Sequence, residues 1–318
     1  MSKNYEITID AHPNFYDDNS QRKLNIYFSE PEEGINTETG ILVLIAGFGG
    51  NANSSVYKKM RTQFSDQFNL ITIQCDYFGL EFMQSELLEE SMQNFNDMGP
   101  LQAIDIISSV IIVQEILRDN DLVYNSNKVI AYGHSHGAYL AYLANVFKQD
   151  LFSLIIDNSS WLWPVYLQSN RQLYMADKVL VFDYFVKKME DFDIEIYDLR
   201  RHYKKMENRC LIHSFHGDND NLISLQEKEK FINPLKKSCL HKITKETIDD
   251  TFRSNTHGLD ADFLKMFDHV INDIKPPFKK IKKLVNEKFR IETSKFSYVF
   301  DYKNKIPILI REKNKQKI

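Results

Sequence analysis

The sequence has few of the residues that define small disulfide-bonded or fibrous proteins. Its 318 residues include three cysteines, 11 glycines and 8 prolines. The cysteines (Cys75, Cys210 and Cys239) are too few and too scattered for a disulfide framework. The sequence also lacks a CxxC pair of the kind that binds zinc. So little glycine and proline excludes a collagen helix and low-complexity disorder. The composition is that of a globular protein.

Long apolar runs are also missing. Residues 104–116 form the most apolar stretch, and it is interrupted by Asp105, Ser108, Ser109, Gln114 and Glu115. This stretch is too short and too polar for a bilayer, so we expect no transmembrane segment. The first ten residues carry no apolar core after Lys3, and we expect no signal peptide. Together these absences predict a cytoplasmic protein, and the heavy use of Lys, Asn and Ile is typical of bacterial sequences with a low GC content.

Charge is distributed unevenly along the chain. Residues 275–318 carry 14 Lys/Arg against 4 Asp/Glu, whereas residues 1–274 carry 26 against 40. The sign changes at Pro276-Pro277, which predicts a main domain at 1–275 and a basic extension at 276–318. Such a tail can bind an anionic glycan, a membrane surface or nucleic acid. We expect instead either the solvated face of a small appended sheet or electrostatic docking of the tail on the acidic main domain, with no nucleic-acid partner.

Apolar runs typical of buried strands alternate with helical segments along the main domain. The strand candidates are residues 5–9, 24–28, 41–46, 69–75, 128–132, 152–157 and 209–215. The helix candidates are residues 100–118, 138–148 and 261–274. The first two strands alternate apolar and polar residues and should pair antiparallel, whereas the later ones are apolar throughout. This order predicts an α/β fold with a doubly wound, mostly parallel sheet.

Two further segments do not belong to the alternating pattern. About fifty residues separate the strands at 152–157 and 209–215, more than a crossover needs. We interpret 161–206 as a cap insertion with a helix at 177–190. The extension should be β-rich, with strands at 289–293, 295–302 and 306–310 and a turn near Asn304. The aromatic face of its middle strand, formed by Phe296, Tyr298, Phe300 and Tyr302, should pack on the core or on a second copy of the chain, which leaves a homo-oligomer open.

The motif with the most specific chemistry is Gly133-His134-Ser135-His136-Gly137, a GxSxG sequence between a predicted strand and a predicted helix. A serine on such a sharp turn stands clear of the sheet, and the two glycines leave room for the strained backbone. Ser135 is therefore the candidate nucleophile. The N–H of His136, which opens the helix, can donate to an oxyanion.

A nucleophilic serine needs a base, and the base needs an acid that orients it. In this architecture the acid precedes the histidine along the chain. Asp220 is our candidate acid and Asp218 its rival, because both lie in the loop after the strand at 209–215. His257 is the candidate base because it lies in a polar loop. His241 and His269 are the other downstream histidines.

A second oxyanion donor is expected in Gly47-Phe48-Gly49-Gly50, which follows the strand at 41–46. The N–H of Phe48 is the first choice and that of Gly49 the second. The segment fits neither a Walker loop, which needs GK[ST], nor the GxGxxG dinucleotide fingerprint.

We expect no cofactor and no metal site. His134, His136, His213 and His216 lack a neighbouring carboxylate at ligand spacing and are interpreted as structural residues. For His216 we expect a backbone hydrogen bond that shapes the loop of the acid.

Taken together, these motifs resemble the α/β-hydrolase superfamily. The resemblance spans roughly residues 24–274 and rests on four segments: the loop at 46–50, the elbow at 133–137, the His216-Gly-Asp-Asn-Asp220 loop and His257-Gly258. The third is similar to the acid loop of the prolyl-oligopeptidase and dienelactone-hydrolase branches. Ala46 stands where the superfamily usually has a histidine. A weaker likeness is to bacterial members linked to surface-glycan modification.

The resemblance implies acyl transfer through an acyl-enzyme on Ser135, with His257 and Asp220 completing a triad and Phe48 and His136 forming the oxyanion hole. We expect a carboxylesterase acting on small or medium acyl esters. The alternatives are an O-acyltransferase or deacetylase acting on a glycan, and a non-catalytic binding protein on the same fold.

Overall fold

The structure is a computed structural model that describes residues 2–84, 89–175, 178–278, 288–304 and 306–314. Asp177, where a cap helix is predicted to begin, lies outside the described residues. So do parts of the basic extension, namely 279–287, 305 and 315–318.

The described residues contain thirteen strands in three sheets. In chain order the strands are β1 (Asn4–Asp10), β2 (Lys23–Ser29), β3 (Gly40–Ile45), β4 (Leu70–Cys75), β5 (Val129–His134), β6 (Leu154–Asn158), β7 (Gln172–Met175), β8 (Lys178–Val181), β9 (Leu211–Gly217), β10 (Ser238–Ile243), β11 (Lys288–Glu292), β12 (Phe296–Asp301) and β13 (Ile308–Lys313).

The main sheet has eight strands in the order β1-β2-β4-β3-β5-β6-β9-β10. The β1–β2 and β2–β4 pairs are antiparallel, and every other neighbouring pair is parallel. The strands β3 and β4 are buried at every position, as expected for strands covered on both faces. The predicted doubly wound, mostly parallel sheet is confirmed, and the predicted antiparallel pair at its start is β1 and β2.

Helices cover both faces of this sheet. They are α1 (Ser55–Phe68), α2 (Glu81–Gln84), α3 (Pro100–Asp119), α4 (His136–Phe147), α5 (Val165–Gln168), α6 (Leu199–Lys205), α7 (Leu225–Ile232) and α8 (Phe263–Asp268). The helix α8 continues into a π-helical turn, His269–Ile274. One core layer contains residues of α3 and α4, and the other contains residues of α1 and α8. The sheet is therefore sandwiched between helices.

The helix α3 meets length and composition criteria for crossing a membrane, but 72% of its apolar window is buried inside the fold. It begins with Pro100 at its first turn. The carboxylate of Asp97 accepts the N–H groups of Gly99 (3.1 Å) and Leu101 (2.7 Å), which satisfies donors at the helix start. Most residues of α3 are buried inside the fold, as in a core helix.

The segment between β6 and β9 differs from the prediction in one respect. The predicted helix at 177–190 is wrong: over its described residues the chain forms strand β8 and a 3-10 turn, Phe185–Lys188. The strand β8 pairs antiparallel with β7. Val179, Leu180 and Val181 are all exposed, and the two valines are β-branched, which favours a strand. Pairing with β7 therefore replaces the helix that the spacing of the apolar residues predicts.

The C-terminal strands β11, β12 and β13 form an antiparallel sheet, as the β-rich prediction requires. The aromatic face of β12 packs on the main domain. The Phe300 ring lies 4.4 Å from that of Phe147 in α4, and the hydroxyl of Tyr302 donates to the carbonyl of Phe147 at 2.6 Å. Tyr298 reaches the cap segment, where its hydroxyl donates to Asp193 at 3.1 Å.

Candidate active site

Ser135 lies in a strained turn between β5 and α4. Its φ and ψ angles are 54° and −118°, a combination that a non-glycine residue rarely adopts. A Cβ on Gly133 would lie 2.4 Å from the backbone nitrogen of Ala138, and one on Gly137 would lie 2.4 Å from the carbonyl oxygen of Ala46. Both positions therefore require glycine, which explains the spacing of the GxSxG motif.

His257 lies between Ser135 and Asp220. Its Nε2 is 2.7 Å from Ser135 Oγ, and its Nδ1 is 2.8 Å from Asp220 Oδ2. The carboxylate can only accept, so Nδ1 carries the proton and Nε2 is left to accept from the serine hydroxyl. The structure thus brings together three residues predicted from separate loops into one hydrogen-bonded chain.

The rival candidates lie elsewhere. Asp218 Oδ1 accepts from Nδ2 of Asn255 at 2.6 Å, on the outer side of the same loop. His241 contacts His213, and His269 is hydrogen bonded to Asp273. None of these contacts involves Ser135.

Asp220 is held by its own loop as well as by His257. Its Oδ1 accepts the N–H groups of Leu222 (2.8 Å) and Ile223 (3.1 Å), and its side chain is fully buried. Burial alone would raise the pKa of this carboxyl, but the hydrogen bond from His257, the nearby histidine charges and the backbone donor outweigh it, so the pKa is lower than usual. Asp220 is therefore ionised at neutral pH. His216 Nε2 donates to the carbonyl of Ile223 at 2.9 Å and braces the loop, as predicted.

The predicted oxyanion segment packs directly against the serine turn. The N–H of Gly50 donates to the carbonyl of Gly47 at 2.9 Å, and Gly49 has a φ of 84°. A Cβ on Gly47 would lie 2.7 Å from Nδ1 of His134, so the loop approaches the turn as closely as backbone allows. His136 is the first residue of α4, where backbone N–H groups have no acceptor inside the helix. The rings of Phe48 and His136 lie 5.9 Å apart, so the two residues that are expected to supply the donors are neighbours in the fold.

The imidazole of His136 points away from Ser135 into the core. Its Nε2 is 2.7 Å from Oε1 of Gln102. Burial lowers the pKa of His136 to about 3, so the ring is neutral and donates from Nε2. Gln102 is fixed in turn, because its Nε2 donates to the carbonyl of Phe78 and to Oδ1 of Asn96, both at 2.8 Å. Sequence reasoning did not identify Gln102.

The end of β6 ties the serine turn to the histidine loop. The carbonyl of Asn158 accepts the N–H of Ser135 at 2.8 Å, and its Nδ2 donates to the carbonyl of Gly258 at 3.2 Å. Ser159 Oγ accepts the N–H of Gly258 at 3.1 Å. The polar run Asp157-Asn-Ser-Ser160, immediately after an apolar strand, is the signal that could have identified these residues.

Asp157, one residue earlier, anchors a buried polar cluster. Its Oδ2 accepts from Lys228 Nζ (3.2 Å), Tyr142 (2.9 Å) and Ser214 (2.7 Å), and also from Ser160 Oγ (2.9 Å). Burial opposes the charge on Asp157, but Lys228 and these donors lower the pKa of the carboxyl overall.

Aromatic side chains from the cap segment surround the Phe48 ring. Ring centroids lie 6.0 Å away at Trp161, 5.1 Å at Tyr166 and 6.2 Å at Tyr184. The Arg171 guanidinium lies 5.2 Å from the Phe48 centroid, a distance typical of cation–π contacts. The cap therefore places an aromatic cluster beside the oxyanion segment.

Comparison with solved structures gives the fold of the chain. Est1E from Butyrivibrio proteoclasticus with bound ferulic acid is 17% identical, with 79% of this chain and 94% of that chain covered and a TM-score of 0.51. Esterase 2 from Thermogutta terrifontis, phosphonylated by sarin, is 13% identical, with 84% and 95% covered and a TM-score of 0.52. The acylaminoacyl peptidase of Pyrococcus horikoshii is 13% identical, with 90% of this chain but 42% of that chain covered and a TM-score of 0.56.

A search of curated proteins finds no match. The sequence model of the prolyl oligopeptidase family matches residues 58–262, a range that includes Ser135, Asp220 and His257. This match covers more than half of the chain. The protein therefore belongs to the prolyl oligopeptidase family of serine hydrolases, within the α/β-hydrolase superfamily.

Proposed function

We propose that this protein is a carboxylesterase that hydrolyses esters of small or medium acyl groups, with Ser135 as its nucleophile. The observation that carries the proposal is the hydrogen-bonded chain from Ser135 through His257 to the buried carboxylate of Asp220, with both links shorter than 3 Å. A serine hydroxyl is a poor nucleophile unless a base takes its proton, and this chain supplies the base.

The reaction then proceeds in two halves. Ser135 Oγ attacks the ester carbonyl carbon while His257 Nε2 takes the hydroxyl proton, which gives a tetrahedral intermediate. The intermediate collapses to an acyl-serine, and the alcohol leaves with the proton from His257. A water molecule, deprotonated by the same Nε2, attacks the acyl-serine, and collapse of the second intermediate releases the acid and restores the Ser135 hydroxyl.

Asp220 and the two backbone donors stabilise the charges that this reaction develops. The carboxylate of Asp220 lies against Nδ1 of His257, where it favours the imidazolium formed in each half. The N–H groups of Phe48 and His136 are proposed to bind the oxyanion. One such donor is typically responsible for about 10²–10³-fold in kcat.

The surroundings of Ser135 favour a compact apolar acyl group. Ser135 is 6% exposed, so little space is open above its hydroxyl. The half-buried rings of Phe48 and Tyr166, which pack on the fully buried Trp161, form an apolar wall beside the proposed oxyanion donors. Burial of an acyl chain against this wall would contribute roughly 25 cal/mol for each Å² of apolar surface.

Peptide-bond hydrolysis is the second candidate, because the chain belongs to a family named for a peptidase. The deciding experiment compares kcat/KM for p-nitrophenyl acetate, butyrate and octanoate with that for aminoacyl p-nitroanilides, on the full chain. We expect the acetate or butyrate ester to be the best substrate, with much slower amide cleavage. A preference for an anilide would overturn the esterase proposal.

Two further measurements test the other functions considered, namely acyl transfer to a sugar and a non-catalytic binding role. Addition of a sugar acceptor during ester turnover would yield an acylated sugar if the enzyme is an acyltransferase, whereas we expect free acid. Ser135→Ala is the matched inactive variant. If the native protein and Ser135→Ala show the same background rates on every ester and every anilide, the protein is a binding protein on a hydrolase fold.

A further inference from the structure

We propose that His213, Cys239 and His241 form a site for a transition-metal ion, preferentially Zn²⁺, at the β9–β10 edge of the main sheet. No part of the esterase proposal assigns a role to these residues. The inference rests on their placement by the sheet register and on the distances between their ligand atoms.

The parallel pairing of β9 with β10 places the three side chains on one face. Cys239 lies directly beside His213 in the register. His241 is two residues after Cys239, and residues two apart in a strand point to the same side of a sheet. Because β10 is the outermost strand, this face is open at one side.

The ligand atoms are already close to one another. His213 Nδ1 and His241 Nε2 lie 3.0 Å apart, and these atoms and Cys239 Sγ all lie within 4.8 Å of one another. Two ligands of one tetrahedral Zn²⁺ lie roughly 3.3–3.7 Å apart, given Zn–N and Zn–S distances of about 2.0–2.3 Å. Small side-chain rotations would bring the set to this geometry.

The chemistry of the set also fits the ion. Imidazole nitrogen and thiolate are the ligands that structural and catalytic zinc sites use most. Cys239 is exposed and the two histidines are half-buried, which leaves a path for an ion to enter. A site with three protein ligands keeps its fourth position for water or for a further side chain.

A second observation independently points to this face. His269 begins the π-helical turn that follows α8, and π-helical turns are frequent at functional sites. Its ring lies 6.2 Å from that of Phe215, which itself stacks on His241 at 4.3 Å. His269 Nδ1 is 2.9 Å from the carboxylate of Asp273, a contact that commonly orients metal-binding histidines, but His269 is not among the three residues whose ligand atoms lie within 4.8 Å of one another.

Sequence spacing alone does not reveal this cluster. His213 and Cys239 are joined by the helix α7 and meet only through the β9–β10 pairing. Along the sequence His213 therefore lies far from Cys239 and His241, which is why no metal site is expected there from the sequence alone.

The test uses the full chain, stripped of metal with a chelator and kept reduced with a phosphine. Calorimetric titration with Zn²⁺ alone should show one saturable site per chain. Replacement by Co²⁺ should give the visible bands of a tetrahedral ion together with a thiolate charge-transfer band in the near ultraviolet. The Tm should rise with Zn²⁺ concentration, because the ion binds the folded chain.

Three variants localise the site. Cys239→Ser should abolish the charge-transfer band and weaken Zn²⁺ binding by about 100-fold or more, and His241→Gln should weaken binding to a similar extent. Lys242→Gln, on the opposite face of the same strand, is the matched control and should bind as the native chain does. Far-ultraviolet circular dichroism checks that each variant is folded. Absence of saturable binding by the native chain, or unchanged binding in both Cys239→Ser and His241→Gln, would overturn the proposal.

Discussion

Lys228 and Asp157 form an ion pair whose two side chains are completely buried, with Nζ and Oδ2 3.2 Å apart. Asp157 immediately precedes Asn158, whose carbonyl accepts the N–H of Ser135. Lys228 also donates to the carbonyl and hydroxyl of Ser160, at 2.8 Å and 2.6 Å. The pair is therefore part of the support under the serine turn, and both charges are compensated by hydrogen bonds.

Loss of one member of this pair should be costly. Lys228→Met leaves the charge of Asp157 buried without its cation, and we expect the free energy of unfolding to fall by about 3–5 kcal/mol. Urea unfolding followed by circular dichroism measures the change. The double variant Lys228→Met/Asp157→Leu should recover part of the loss, since no uncompensated charge is left. Lys236→Met, which removes an exposed partner of Glu207, is the control and should leave the unfolding midpoint unchanged.

The two aspartates of the acid loop should differ sharply in their effect on activity. Asp220→Asn removes the carboxylate beside His257 and favours the wrong tautomer of the imidazole, so kcat for the best ester should fall by about 10⁴-fold. Asp218→Asn changes the residue that contacts Asn255 and should leave kcat within a few-fold of the native value. Steady-state kinetics on both variants settles the assignment. A larger loss in Asp218→Asn would transfer the role of the acid to that residue.

Buried histidines should make the fold sensitive to acid. Burial lowers the pKa of His12, His134, His216 and His241 to about 4 and that of His136 to about 3. An unfolded histidine has a pKa near 6.5, so between about pH 6.5 and 4 the unfolded chain binds more protons than the folded chain. The contribution of these histidines to the free energy of unfolding is therefore complete above about pH 6.5. It is lost as the pH falls, by about 1.4 kcal/mol per pH unit for each such histidine.

Asp97 acts in the opposite direction, because burial raises the pKa of its carboxyl to about 7. Burial also raises the pKa of Asp76, Glu90 and Asp105, but the five histidines outnumber these four carboxyls. We therefore expect the unfolding free energy from urea titrations to decrease steeply from pH 6.5 to pH 4.5. His12 is a useful probe, since its Nε2 accepts the N–H of Leu309 at 2.7 Å and can do so only when neutral. His12→Gln should reduce the slope. A flat profile over this pH range would contradict the assignment of neutral buried histidines.

Much of the main sheet could be predicted because its local signals agree with its final environment. The apolar runs that became β3 and β5 are buried on both faces, so composition and burial coincide. The GxSxG motif predicted the Ser135 turn for the same reason, since only glycine fits beside it. The cap could not be predicted in this way. Its chain at 178–181 adopts a strand through pairing with β7, which the helical spacing of the sequence does not reveal.

The support of the site was less predictable than the site itself. Lys228 occurs in the charged segment Glu227-Lys-Glu-Lys230, where a lysine is normally solvated, yet its side chain is completely buried. Gln102 lies within an apolar helix and gives no local sign that it will hold His136. Such residues acquire their roles from contacts between distant segments, which a pattern along one segment does not encode.

Covalent labelling shows whether Ser135 is an activated nucleophile. The intact mass of the native chain is measured after treatment with a fluorophosphonate, alongside Ser135→Ala and the exposed control Ser126→Ala. We expect a single adduct on the native chain and on Ser126→Ala, and none on Ser135→Ala. A folded native chain that takes up no adduct, or an adduct that persists in Ser135→Ala, would show that Ser135 is not the nucleophile.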